Sequence, residues 1–206
     1  SITIPKSISN VNYNSVSGGY NGPLTGAGSL KEVIFEEGMT RLPSYILASA
    51  NYTSQVERVL IPDTVTTIGY AAFEYCKKLT EVDLPESLKT IGSYAFDGCT
   101  GIKMLTIPSS VRTVGNNAFV DCTGLEKVEF AYEAEDPSVA ERDALTIGAS
   151  AFNGCTYLSD IKLSENVTEI GDYAFESCKS LKELVIPESV KKLGYYIIQD
   201  TAIRSI

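Results

Sequence analysis

The sequence predicts an α/β solenoid of about seven to eight stacked coils, each made of short parallel strands and one short helical or 3-10 turn. Three observations carry this. The nine-residue stretch I-G-S-Y-A-F-D-G-C, Ile91 to Cys99, returns at Ile68, Val114, Ile147 and Ile170, with worn copies at Leu42 and Leu193. From 68 onward the steps are 23, 23, 33, 23 and 23 residues, a period that marks a stacked repeat. Between the copies lies a second half-unit, Leu79-x-x-Val82-x-Leu84-Pro85-x-x-Leu88-x-x-Ile91, which recurs from Ile102 and from Leu181 and keeps its apolar spacing upstream.

Within a coil the elements follow in order. The alternation Val82, Leu84 predicts a strand with those side chains inward. Pro85 has no amide to donate and suits the strand's end. Leu88 to Ile91 reads as a second extended piece, Gly92 allows a bend or a close backbone approach, and Tyr94 to Gly98 reads as the helical or 3-10 turn. One coil cannot cover its own apolar side, so coils must stack.

Along the chain, Ile2 to Val11 matches only the strand-turn part of a coil. Residues 1–29 are therefore a partial first coil followed by a glycine-, asparagine- and serine-rich insertion, Val11 to Gly28. Its glycines match neither G-x-x-x-x-G-K-[ST] nor G-x-G-x-x-G, which leaves a polar excursion as the reading. A second insertion, 131–144, carries five acids and one arginine, and 193–206 form a degenerate last coil. The whole chain, 1–206, is expected to be one domain.

The inward column comprises Phe73, Phe96, Phe119, Phe152 and Phe175, with Cys76, Cys99, Cys122, Cys155 and Cys178 three residues after each. Stacking would bring successive cysteine Cα atoms to about 5 Å, but parallel side chains keep the Cβ atoms as far apart, wider than a disulfide accepts. Five is an odd number and no C-x-x-C pair is present, so buried unpaired thiols are expected.

The pattern C-x-x-L-x-x-V-x-I-P-x-x-V-x-x-I-G-x-x-A-F-x-x-C, clearest over Cys76 to Cys99, Cys99 to Cys122 and Cys155 to Cys178, resembles the BspA-like leucine-rich repeats. The resemblance runs from about Leu30 to Leu193; Pro is missing at Glu36, Ala131 and Ser164, and Cys at Ala50 and Thr201. It implies a right-handed leucine-rich-repeat superhelix in a secreted or cell-surface bacterial protein, with a role in adhesion or host interaction and no particular ligand.

Composition narrows the chemistry. With no histidine, Ser-His-Asp and Cys-His catalysis and most zinc sites are excluded, and no carboxylates form a catalytic constellation; no enzyme and no cofactor is expected. A net charge of −9 argues against nucleic acid and anionic membrane surfaces, and no apolar run is long enough to span a bilayer.

Exposed strand positions form two rows. Glu32, Arg58, Glu81, Met104, Lys127, Asp160 and Glu183 often alternate in sign and read as a self-neutralising face. Ile34, Leu60, Asp83, Thr106, Glu129, Lys162 and Val185 are the candidate partner-binding row. Glu133, Glu135 and Asp136 in the acidic insertion are a second candidate contact; they lack the D-x-[DN]-x-[DN]-G calcium pattern. Tyr45, Tyr94, Tyr173 and Tyr196 read as an edge of the convex side rather than as a carbohydrate platform. The expected function is non-catalytic extracellular recognition of a protein, host or matrix proteins included. A structural spacer or stalk within a larger surface protein is the alternative.

Overall fold

The computed structural model describes residues 1–8, 23–24, 29–49, 54–131 and 144–204. Among them run fourteen strands: β1 (Ile2–Ile4), β2 (Glu32–Phe35), β3 (Arg41–Leu42), β4 (Arg58–Leu60), β5 (Thr67–Ile68), β6 (Glu81–Val82), β7 (Thr90–Ile91), β8 (Met104–Ile107), β9 (Thr113–Val114), β10 (Lys127–Phe130), β11 (Leu145–Ile147), β12 (Asp160–Lys162), β13 (Val167–Ile170) and β14 (Lys192–Leu193). Every pairing is parallel and joins one coil to the next. The fold is the expected parallel-strand solenoid with a period of about 23 residues.

Each coil contributes to two sheets. The first half-unit builds one in two pieces, β1-β2-β4-β6 and β8-β10-β12, while the piece before the glycine builds a continuous seven-stranded sheet from β3 to β14. The seven strands, one per coil, bound six full turns, below the seven to eight expected; among the described residues the first coil contributes β1 and a 3-10 turn, Lys6–Ile8. Between the two strands of a coil, the carbonyl at the proline position accepts a hydrogen bond three residues on, as in Leu88 N–H to Pro85 O at 2.9 Å. Glu36 and Ser164 make the same bond, to Met39 and Val167, so the turn survives loss of the proline. After the acidic insertion, β11 absorbs the irregularity as a register shift between Leu145 and Thr146.

The helical turn expected after the glycine does not form. Residues two and six past it are left-handed in every full coil: Tyr94 at φ 58° and Gly98 at 64°, Asn117 at 56° and Asp121 at 53°, Tyr173 at 59° and Ser177 at 58°. Helical dihedrals cannot run through such points. Instead the N–H groups alternate. Those of Ala95, Asp97 and Cys99 close turns on Gly92, Tyr94 and Phe96, while those of Tyr94, Phe96 and Gly98 donate to Asn116, Ala118 and Val120 of the next coil at 2.8–3.0 Å. The segment is a third ladder between coils, and that pairing offsets the strain of the left-handed residues.

Inward side chains form one cluster from Ile4 to Ile197. Phe73, Phe96, Phe119, Phe152 and Phe175 are fully buried, and their ring centroids follow at 5.0, 5.1, 5.2 and 5.6 Å. The five cysteines are free and buried. Each thiol donates to a carbonyl of the preceding coil: Cys99 to Phe73 and Cys122 to Phe96 at 3.1 Å, Cys155 to Phe119 and Cys178 to Phe152 at 3.2 Å, and Cys76 to Leu47 at 3.3 Å. Burial pushes the Cys76 and Cys178 thiols up to about 12, and those of Cys99, Cys122 and Cys155 rise for the same reason. Such thiols carry no thiolate at neutral pH and are inert. A disulfide-exchange reagent should therefore label none of the five in native protein and all five after denaturation without reductant. Fewer than five after denaturation would show a disulfide.

Candidate protein-binding face

The outward face of the first sheet is where residues differ from coil to coil. Its inward positions repeat one chemistry: Val33, Val59, Leu105, Val128 and Ile161 are all buried. The pleat turns their neighbours outward, so β8 presents Met104 and Thr106 while Leu105 and Ile107 face the core.

Parallel register aligns those outward residues. Glu32, Arg58 and Glu81 face one another in turn, as do Met104, Lys127 and Asp160. The charges pair: Arg58 Nε lies 3.3 Å from Glu81 Oε2, and Lys127 Nζ lies 2.6 Å from Glu129 Oε1 and 3.6 Å from Asp160 Oδ2. The hydrogen bond to Glu129 and its charge raise the Lys127 ammonium above its ordinary value, with Asp160 adding to it. At the mouth of the strands, Lys31–Glu57 at 2.9 Å and Lys103–Glu126 at 3.1 Å form a further pair of rungs. Exposed pairs of this kind are screened by solvent, so they set the face's charge pattern more than its stability.

The candidate binding row is only partly assembled. Ile34 aligns with Leu60, and Thr106 with Glu129 and Lys162. Asp83 lies beyond the end of β6, which pairs with β4 and not with β8, so the row is interrupted there. Val185 sits in a coil whose first half forms no strand, and it is 68% exposed. Ile34 and Leu60 are half-buried, whereas Met104, from the neighbouring row, is 69% exposed between charged neighbours. Glu133, Glu135 and Asp136 lie outside the described residues, as does most of the 11–28 insertion.

One surface feature went unread in the sequence, and another was read only in part. Thr67, Thr90, Thr113 and Thr146 form an in-register ladder on the second sheet, signalled by T-[IV]-G in four copies. The tyrosines follow one another in two runs: Tyr45, Tyr70 and Tyr94 have centroids 5.3 and 5.4 Å apart with tilted rings, and Tyr173 and Tyr196 stack at 5.4 Å. Tyr70 belongs to the first run although it sits one residue earlier in its coil than the others. No helix among the described residues is long and apolar enough to cross a membrane.

The sequence profile described as "BspA type Leucine rich repeat region" matches residues 44–138 and 139–206 in six copies. Among solved structures, a leucine-rich repeat protein from Bacteroides ovatus is similar at 31% identity and TM-score 0.74, over 88% of this chain and 44% of that one. A leucine-rich repeat protein of T. pallidum shares the fold at 21% identity and TM-score 0.66, over 88% and 72%. One from Eubacterium ventriosum does so at 21% and 0.63, over 100% and 59%. The chain thus spans less than half the length of the B. ovatus protein. No curated protein matches it.

Proposed function

The chain belongs to the BspA-type leucine-rich-repeat family, a protein-interaction type of fold, and from that premise we propose that it is a non-catalytic extracellular recognition module that binds a protein through the outward face of its first sheet. One observation carries this reading: in a chain whose inward residues repeat, the outward ones change at every coil, and parallel register aligns them within each of the two pieces of the first sheet. Three inter-coil ladders stiffen that array, so little conformational entropy is lost when a partner docks. Charges neutralised within the face and isolated apolar residues such as Met104 suit a protein surface of mixed character better than a polyanion. The continuous core from Ile4 to Ile197 supports a single domain. The acidic insertion, with Glu133, Glu135 and Asp136, is the second contact we assign to the partner.

The test uses immobilised extracellular-matrix proteins and intact host cells as probes. Met104→Glu and Val185→Glu, both at exposed positions, should each lower affinity by about tenfold or more and leave the thermal midpoint within about 2 °C. Wild-type binding retained by the double variant would remove the face from the binding surface. A chain that binds none of the probes fits the second reading, a rigid spacer in a longer surface protein, which the 44% coverage of the B. ovatus relative supports.

A further inference from the structure

In two successive coils the residue after the core phenylalanine is an acid: Glu74 follows Phe73 and Asp97 follows Phe96. The turn ladder fixes their relation, since the N–H of Phe73 donates to the Ala95 carbonyl and that of Tyr75 to the Asp97 carbonyl, at 2.8 and 2.7 Å. Glu74 and Asp97 therefore occupy the same slot one coil apart. Both are nearly closed to solvent, at 4% and 6% exposure, and Glu74 Oε2 is buried with no hydrogen-bond partner.

The same slot elsewhere shows what an acid there requires. Asn153 and Glu176 fill it in a later pair of coils, and the Asn153 Nδ2 donates to Glu176 Oε2 at 2.6 Å. Side chains in this slot thus reach one another across one coil step, and an amide supplies the donor. Between Glu74 and Asp97 neither side chain is a donor unless one carboxyl is protonated.

We propose that this closed slot keeps the Glu74 and Asp97 carboxyls protonated, each then able to donate, and that it is a pH-sensitive clasp between adjacent coils in the N-terminal half. The surroundings favour the neutral form. Asp121 lies in the following coil and its charge acts on the Asp97 carboxyl; the nearby Cys99 and Cys122 thiols are uncharged, and the N–H of Ser49 in the preceding coil goes to the Glu74 backbone carbonyl rather than to its carboxyl. The Tyr75 hydroxyl donates to the Asp97 carboxyl and alone opposes the trend. Burial, and after it the neighbouring carboxyl, pushes Glu74 up to about 7; burial and then Asp121 push Asp97 to about the same value.

Because the folded chain keeps protons on these two carboxyls that the unfolded chain has already released, their contribution to stability is greatest in acid, falls from about pH 4 to about pH 7, and levels above. Thermal unfolding of the full chain should show the midpoint dropping by roughly 5 °C or more between about pH 5 and about pH 8. Glu74→Gln and Asp97→Asn supply a permanent donor, so each should flatten that slope and raise the midpoint at the higher pH. The double variant should flatten it furthest. An infrared carboxylic-acid band that persists at about pH 6, weakens in each single variant and vanishes in the double variant would support the buried neutral carboxyls independently of folding yield. Equal slopes in wild type and both variants would overturn the proposal. So would added calcium restoring the wild-type midpoint at the higher pH but not that of Glu74→Gln, which would make the slot a cation site.

Discussion

Replacing Phe119 by alanine is expected to lower the stability of the chain by about 3–5 kcal/mol. The ring is fully buried, and it stacks on Phe96 at 5.1 Å and on Phe152 at 5.2 Å, nearly parallel to both. Truncation removes the ring's transfer energy, opens a cavity, and breaks two aromatic contacts worth about 0.5–1.5 kcal/mol each. The cavity cannot collapse readily, because the backbone on either side is tied into the turn ladder, with Phe119 N–H donating to the Ala151 carbonyl at 2.8 Å. Denaturant unfolding measures the loss. Phe119→Leu should cost about half as much, since it keeps apolar volume in the column. Phe175, which has a ring neighbour on one side only, should cost less than Phe119 when truncated. A loss below about 1 kcal/mol for Phe119→Ala would show that the column relaxes freely and would remove it as the main support of the stack.

Gly115→Ala is expected to cost about 3 kcal/mol or more, unusually large for adding one methyl group. A Cβ at Gly115 would lie 2.5 Å from the backbone nitrogen of Ser93 and 2.7 Å from the carbonyl carbon of Gly92. Both belong to the preceding coil's backbone, which cannot swing aside as a side chain could, so the two coils would have to separate. Gly38→Ala provides the contrast. There the nearest atom is 3.5 Å away, on the Lys6 side chain, and only the backbone conformation at φ 85° resists the change. That cost should be about 1–2 kcal/mol. If Gly38→Ala proved as damaging as Gly115→Ala, conformational preference rather than coil spacing would explain the glycine column. Thermal unfolding of the two variants side by side distinguishes these outcomes.

The residues differed in how much they disclosed. Phe96 and Cys99 were legible as core because their types repeat at one offset, and repetition at a fixed period requires a stacked interior. Met104 and Lys127 were legible as outward, because strand alternation leaves no other direction. Tyr94 was misleading: the five residues from Tyr94 to Gly98, between a glycine and a cysteine, suggested a helical turn. Its φ of 58° is acceptable because its N–H finds Asn116 in the next coil at 3.0 Å. Nothing local to the sequence announces that bond. Glu74 and Asp97 were hidden for a related reason. Each alone looks like a surface acid beside a core phenylalanine, and only stacking places the two in one closed slot. The candidate row was read as seven aligned positions. Its interruption after β6 depends on whether a two-residue strand can pair on both sides, which the sequence pattern does not report.

By itself, then, the sequence determined the period, the inward columns and the need for glycine at each coil's bend, because these follow from which residues recur. The tertiary structure decided everything that depends on a neighbour one coil away. The alternating turns, the thiol-to-carbonyl bonds, the broken first sheet and the closed carboxyl pair all depend on residues of adjacent coils. A sequence pattern states what each coil must bury. How two coils satisfy each other's hydrogen bonds is fixed only when their backbones are brought to strand spacing.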